Sequence, residues 1–230
     1  MSSKKATAED LKVLVGRLES EFPVIDDESY KPLVNFGQNR TLPIHSWFDY
    51  KQGYSPELIQ KLVEDLGVPK GGLILDPFNG VGTTLLAADS MGIGSVGFDV
   101  NPVAVLASEV KNRKYSKSDL VELQELLAGF TQSKPSPIEK PKYKSLPRIY
   151  KDEELDALLV IRSFADGLSQ GWVRKFFLLA LVSIVEPVSN RIKDGNGIKI
   201  VKNKKPVDDV FGLYSLKVSS MIDDLAVTEP

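Results

Sequence analysis

At 230 residues the chain can hold one large domain or two small ones with a real hydrophobic core, and its formal net charge of -2 argues against a generally polycationic nucleic-acid binder, local basic patches aside. With no cysteine and a single histidine, His45, disulfides, thiolate chemistry, cysteine zinc sites and multi-histidine metal centres are excluded, and a Ser-His-Asp triad would have to use that one residue. No run reaches membrane-span length and "MSSKKATAED" lacks a secretory apolar core, so a cytoplasmic location without membrane contact is expected.

The first periodic stretch, "TAEDLKVLVGRLESEF", predicts a helix with Thr7 as N-cap and Asp10 three residues on. Leu11, Leu14, Val15 and Leu18 fall on one face. Residues 23–47 read as an extended, proline-punctuated segment. In "GYSPELIQKLVEDLG", Ser55 suits an N-cap, Pro56 the first helical position and Gly67 the stop, with Leu58, Ile59, Leu62 and Leu66 recurring between them. A strand is expected over Gly72 to Leu75, then a glycine loop, a helix over about 82–91, a second strand in "SVGFD" and a helix from Pro102. Strand, loop, helix, strand is the opening of a right-handed parallel α/β unit. Beyond residue 116, "SKSDLVELQELLAGF", "KDEELDALLVIRSFADGL", "GWVRKFFLLALVSIVEPVSN" and "VDDVFGLYSLKVSSMIDDL" read as helices, and "GIKIV" as at most a short extra strand. Phe176, Phe177, Leu178, Leu181 and Ile184 are expected in the core. The expected organisation is a helix and lead-in over 1–34, a cofactor-binding α/β unit over 35–116 and a mainly helical insert over 117–230.

The chemistry concentrates in "LILDPFNGVGTT". In doubly wound folds, ligands bind beyond the carboxyl ends of the strands, where a glycine-rich turn lets backbone approach them. Asp76 stands at such an end, and Gly80 and Gly82 carry no side chains to block entry. Asp99 ends the second strand, about where such folds place an acid for ribose hydroxyls, although "DVNP" is also a plausible helix start. The loop lacks the lysine of a P-loop and departs from the dinucleotide spacing G-x-G-x-x-G, so an adenosine ligand without a pyrophosphate is favoured.

"DPFNGVGTT" resembles the D-P-F-x-G-x-G-T-T signature of the S-adenosyl-L-methionine-dependent DNA amino-methyltransferases. "HSWFDYKQGYSPELIQKL" is similar to the segment these enzymes place before that loop, and "GFDVNPVAVLASEVK" to their second-strand segment. The resemblance implies an α/β, Rossmann-like methyltransferase fold and transfer of a methyl group to the exocyclic amine of cytosine or adenine in double-stranded DNA, within a restriction-modification system. Carried over position by position, it implies that Asp76, Pro77, Phe78, Gly80, Gly82, Thr83 and Thr84 line the methionine side. Asp99 would hold the ribose, with Val100 and Asn101 near the adenine. Tyr50, Lys51, Tyr54 and Ser55 would close over the methionine carboxylate, where a helix N-terminus suits an anion.

These enzymes also carry a base-holding tetrapeptide, Asp or Ser, Pro, Pro, then an aromatic, which grips a flipped-out base. The sequence has none; "KPSP" and "VTEP" lack both the double proline and the aromatic. In the subgroup that "LALVSIVEPVSNRIKDGNGIKI" resembles, the motif follows the helical insert, where this chain ends. The parallel sheet is therefore expected to be incomplete, with no catalytic residue evident, and a second polypeptide is expected to bring the missing motif. An inactive truncated remnant, a cofactor-binding module and an RNA methyltransferase are the alternatives. Two basic clusters are candidate phosphate contacts or simply solvated loops: Lys134, Lys140, Lys142, Lys144, Arg148 and Lys151 in a Pro- and Lys-rich linker, and Arg191, Lys193, Lys199, Lys202, Lys204 and Lys205 near the C-terminus.

Overall fold

A computed structural model of the chain describes residues 7–22, 27–193, 197–201 and 203–227. Two compact units emerge, Met1–Pro32 and Leu33–Pro230. The described part of the first holds α1 (Ala8–Glu21), which starts as its sequence demands. The Thr7 hydroxyl accepts the Asp10 amide and the Asp10 carboxylate accepts the Thr7 amide, a reciprocal capping box. The apolar face of α1 is solvent-exposed at Leu11, Leu14, Val15 and Leu18.

The expected extended lead-in, 23–47, straddles the end of the first unit and the start of the second, and where described it takes another form. Residues 28–47 form three short 3-10 turns, Glu28–Tyr30, Gln38–Arg40 and His45–Trp47, while part of the segment, 23–26, lies outside the described residues. The α/β unit follows in the expected order: α2 (Pro56–Asp65), β1 (Leu73–Asp76), α3 (Thr83–Ser90), β2 (Gly94–Gly97) and α4 (Pro102–Asn112). Strands β1 and β2 run parallel, with Leu73 opposite Gly94 and Asp76 opposite Gly97. Helix α3 packs on β2, and α2 packs on α3. The other face of the sheet is open: Leu73, Leu75, Val96 and Phe98 are 42 to 72% exposed, whereas parallel sheets are normally covered on both sides.

Four more helices complete the unit: α5 (Lys117–Gln132), α6 (Asp152–Asp166), α7 (Gly171–Val188) and α8 (Val210–Val227). Helix α7 is apolar on nearly every side because α4, α6 and α8 all pack against it. Phe176, Phe177, Leu181 and Ile184 are buried as expected, and Leu178 is half-buried. A single apolar cluster runs from Phe36, Trp47 and Val81 through α4 to α8. "GIKIV" does not extend the parallel pair. Strand β4 (Ile198–Ile200) pairs antiparallel with β3 (Arg191–Lys193), a short hairpin whose register sets Arg191 opposite Ile200. Local β propensity predicts a strand but not its partner, which is decided by long-range packing.

The turn at 44–47 is tied to both α4 and α8. Asp224 accepts the Ile44 amide (2.9 Å) and the Trp47 indole N–H (2.8 Å), while Lys111 and Lys217 donate to the carbonyls of His45 and Ser46. Ile44 sits at φ +64°, a conformation β-branched residues avoid, so these bonds hold a strained turn. Trp47 is fully buried, edge-on to Tyr115 and Phe176. Burial, then Lys111, then against them Glu57 set the His45 imidazole, which ends at about 4 and stays neutral near pH 7. Burial and the neighbouring Lys217 pull the Lys111 ammonium down to about 7.

This buried lysine gives stability a defined pH dependence. From pH 7 towards 9 the unfolded chain keeps a proton on residue 111 that the folded chain has shed. Stability therefore rises with pH in this window, by about 2 kcal/mol in all, and is lost again as pH falls through the folded value. Denaturant titrations should show this rise for the parent and its disappearance in Lys111→Met. An unchanged slope in the variant would mean that Lys111 is charged in the fold.

Candidate cofactor site

The loop between β1 and α3 is shaped by two left-handed glycines. Gly80 (φ +52°) and Gly82 (φ +84°) occupy backbone conformations that side chains disfavour, and Gly82 is the residue from which α3 starts. A Cβ on Gly80 would lie 3.0 Å from the Tyr50 ring, and one on Gly82 would lie 2.6 Å from both Ser108 Oγ and Asn112 Nδ2. The glycines thus allow the chain itself to close in on the loop, from the Tyr50 segment on one side and α4 on the other. Their sequence reading was narrower, as space left for a ligand.

Asp99 joins the two strand ends. One carboxylate oxygen accepts the Gly80 amide (2.8 Å) and the other accepts the Asn101 amide (2.7 Å). It lies two residues beyond β2, and the parallel pairing continues into this stretch: the Phe98 amide donates to the Asp76 carbonyl, and the Asn79 amide to that of Phe98. The helix cap is a separate residue. Asn101 accepts the Val103 amide at the start of α4, with Pro102 in the first turn. A carboxylate offers about four lone-pair sites, so Asp99 retains one acceptor on each oxygen for a pair of hydroxyls.

Asp76 is turned inward. Its Oδ2 accepts the hydroxyls of Tyr54 (2.8 Å) and Thr84 (2.6 Å), and its Oδ1 accepts the Phe78 amide. Tyr54 and Thr84 also touch each other at 2.5 Å, closing a ring that fastens the 50–55 segment to the start of α3. Burial pushes the Tyr54 phenol up to about 12, the hydrogen bond with Thr84 counteracting it and Asp76 adding to it, so Tyr54 remains protonated. Burial, and next the Asp99 charge, likewise raise Tyr50.

The remaining expected residues divide by position. Tyr50, Lys51 and Asn101 border a hollow of about 230 Å³ together with Asp49, Gln52, Gly197 and Ile198, which brings the β3–β4 hairpin beside the proposed closing segment. Pro77, Phe78 and Val100 are exposed at the strand ends, whereas Thr83 and Thr84 are buried under the loop. Ser55 is fully buried; it has N-cap backbone geometry, but its hydroxyl makes no capping bond and no other hydrogen bond. A larger hollow, about 360 Å³, lies by the starts of α6 and α8 and includes none of the loop residues. Among the described residues no group of three or more His, Cys, Asp or Glu could hold a metal ion, and no helix is long and apolar enough to cross a membrane.

Sequence reasoning passed over Asn79, Ser108 and Asn112. The Asn79 amide donates to Ser108 Oγ (2.8 Å), while its carbonyl oxygen is buried without a partner. Ser108 and Asn112 recur four residues apart on α4, and that polar pair was the available signal.

The residues present fit S-adenosyl-L-methionine: Asp99 has acceptors to spare for a diol, the unpartnered side-chain oxygen of Asn79 is held in the loop, and the glycine loop opens at the carboxyl ends of parallel strands. Residues 24–110 match the family model described as DNA methylase, N6_N4_Mtase. The type II methyltransferase M.BsoBI of Geobacillus stearothermophilus is 36% identical over 172 residues, 74% of this chain and 34% of the relative. The type II methyltransferase M.AvaI of Nostoc sp. is 28% identical over 194 residues, 82% of this chain and 39% of the relative. M.MjaII of Methanocaldococcus jannaschii, also a type II methyltransferase, is 37% identical over 90 residues, 39% of this chain and 16% of the relative. No solved structure matches the chain. It spans between a third and two fifths of the length of M.BsoBI and M.AvaI. The stretch that builds the glycine loop and Asp99 thus matches the N6/N4 DNA methylase family model, and most of the chain is homologous to type II methyltransferases.

Proposed function

We propose that the chain is the S-adenosyl-L-methionine-binding part of a DNA methyltransferase directed at the exocyclic amine of cytosine or adenine, in a restriction-modification system. The observation that carries this reading is Asp99, which ties the Gly80 amide to the end of β2 and keeps acceptors free at the mouth of the loop. The bound cofactor would supply an electrophilic methyl group on its sulfonium. The protein's part is orientation: Asp99 holds the ribose, Asn101 and Val100 border the adenine, and the loop from Asp76 to Thr84 shapes the methionine side. Tyr50, Lys51, Tyr54 and Ser55 belong to the segment folded over it. In this reading 35–116 is the cofactor-binding unit, 117–230 a mainly helical insert, and the setting is the cytoplasm.

A second polypeptide that brings further strands and the base-holding tetrapeptide is part of the proposal. Two observations support it: the open apolar face at Leu73, Leu75, Val96 and Phe98, and a parallel sheet of only two strands among the described residues.

Titration calorimetry tests the cofactor reading. The parent should bind S-adenosyl-L-methionine or its demethylated product in the micromolar range. Asp99→Ala should weaken binding at least tenfold, since a hydrogen bond to a charged group contributes about 1.5–3 kcal/mol. Equal affinities for parent and variant would remove Asp99 from the site.

A further inference from the structure

The two basic clusters, far apart in sequence, meet in space. The backbone amide of Asn190 donates to the Ile149 carbonyl (2.9 Å) and its side-chain amide to the Arg148 carbonyl (3.0 Å). Tyr150 reaches the Val185 carbonyl in the last turns of α7. A groove of about 300 Å³ runs between the linker and the segment after α7, from Pro147 and Ile149 to Lys204 and Lys205.

Several of the cations are already engaged. Lys140 pairs with Asp152 and Asp156, and Lys134 lies over the rings of Phe130 and Phe211. Lys204 is folded back, donating to the carbonyls of Glu186, Ser189 and Arg191 and so satisfying the C-terminal end of α7. The nearest acid in the groove, Glu154, is committed to the Lys151 backbone amide. Lys144, Arg148 and Lys205 are exposed and make no ion pair among the described residues. Arg191 has a buried Nε with no partner. Lys202 lies outside the described residues.

The hairpin connects this surface to the cofactor site. Gly197 and Ile198 border the hollow that Tyr50 and Asn101 line, and Val201, at the other end of β4, lines the basic groove.

We propose that Lys144, Arg148 and Lys205 form one surface that grips the phosphates of double-stranded DNA. This rests on the DNA methyltransferase reading but uses residues remote from the glycine loop. Contacts of this kind position the duplex without reading its sequence.

Fluorescence anisotropy of a short labelled duplex, titrated with the full chain at several salt concentrations, tests it. Lys144→Gln/Arg148→Gln/Lys205→Gln should weaken binding to all duplex sequences alike. It should also flatten the dependence of log K on log salt by about 0.9 for each phosphate that is no longer neutralised. Lys134→Gln/Lys140→Gln, which removes internally engaged cations, should leave that slope unchanged. The proposal is overturned if the triple variant keeps the parental affinity and slope, if the parent binds no duplex at low salt, or if an RNA duplex of the same sequence binds more tightly. Cofactor calorimetry on the same samples separates the two readings. A chain that binds no S-adenosyl-L-methionine yet shows the predicted flattening keeps this surface and loses the cofactor assignment.

Discussion

Gly82→Val is expected to abolish S-adenosyl-L-methionine binding and to leave most of the helix content in place. Valine at φ +84° is both strained and crowded, because its Cβ would meet Ser108 Oγ and Asn112 Nδ2 at 2.6 Å. The Ser108 and Asn112 side-chain tips can rotate aside but Ser108 Cβ, 3.1 Å away, cannot, so the loop must shift from α4, which pulls the Gly80 amide from Asp99 and disorganises the mouth of the site. Val81 is the one residue of this loop in the apolar core, most of which is built by α4 to α8, so the far-ultraviolet circular dichroism should change little. Gly80→Val should behave alike through the Tyr50 ring 3.0 Å away. Calorimetry and circular dichroism on the same preparations check both variants. Parental affinity in the two would reduce the loop to a structural turn.

The purified chain alone is expected to transfer no methyl group to DNA. No Asp/Ser-Pro-Pro-aromatic motif occurs in the 230 residues, so nothing is evident to hold a target amine. The deficiency is also physical. Parallel sheets are usually covered on both faces, and here Leu73, Leu75 and Phe98 are each more than half exposed beside Phe78 at 86%. An open apolar face with unpaired strand edges favours association with another chain. Tritiated-methyl transfer on varied duplexes, with native mass spectrometry on the chain expressed with its genomic neighbour, checks both halves. A complex that gains transfer activity would support a two-polypeptide enzyme. A soluble monomer that methylates DNA unaided would overturn it, and a complex without transfer would favour an inactive remnant.

What could be read from the sequence was local. The capping pair Thr7 and Asp10, the proline at the start of α2, the order β1-α3-β2 and the core positions of α7 follow from periodicity and short-range hydrogen bonding. Asp99 and the glycines were legible as a motif, but their bonding was not. That Asp99 accepts the Gly80 amide, and that Asp76 is claimed by Tyr54 and Thr84, depends on chain closure across 19, 22 and 8 residues. Long range also hid the clamp of Asp224, Lys111 and Lys217 on the 44–47 turn, where the donors lie 66 to 180 residues from their acceptors. The antiparallel pairing of β4 with β3 was hidden for a related reason, since three apolar-alternating residues carry no mark of their partner.

The most direct measurement is a nuclear magnetic resonance titration of the isotopically labelled chain with S-adenosyl-L-homocysteine. If the cofactor lies at the carboxyl ends of β1 and β2, the amides of Gly80, Gly82 and Thr83 and those around Asp99 to Asn101 shift together at one saturable concentration. Smaller shifts should follow in Tyr50 and Tyr54. Shifts confined to the groove between the linker and α7, or none at all at millimolar ligand, would contradict a cofactor site in the glycine loop.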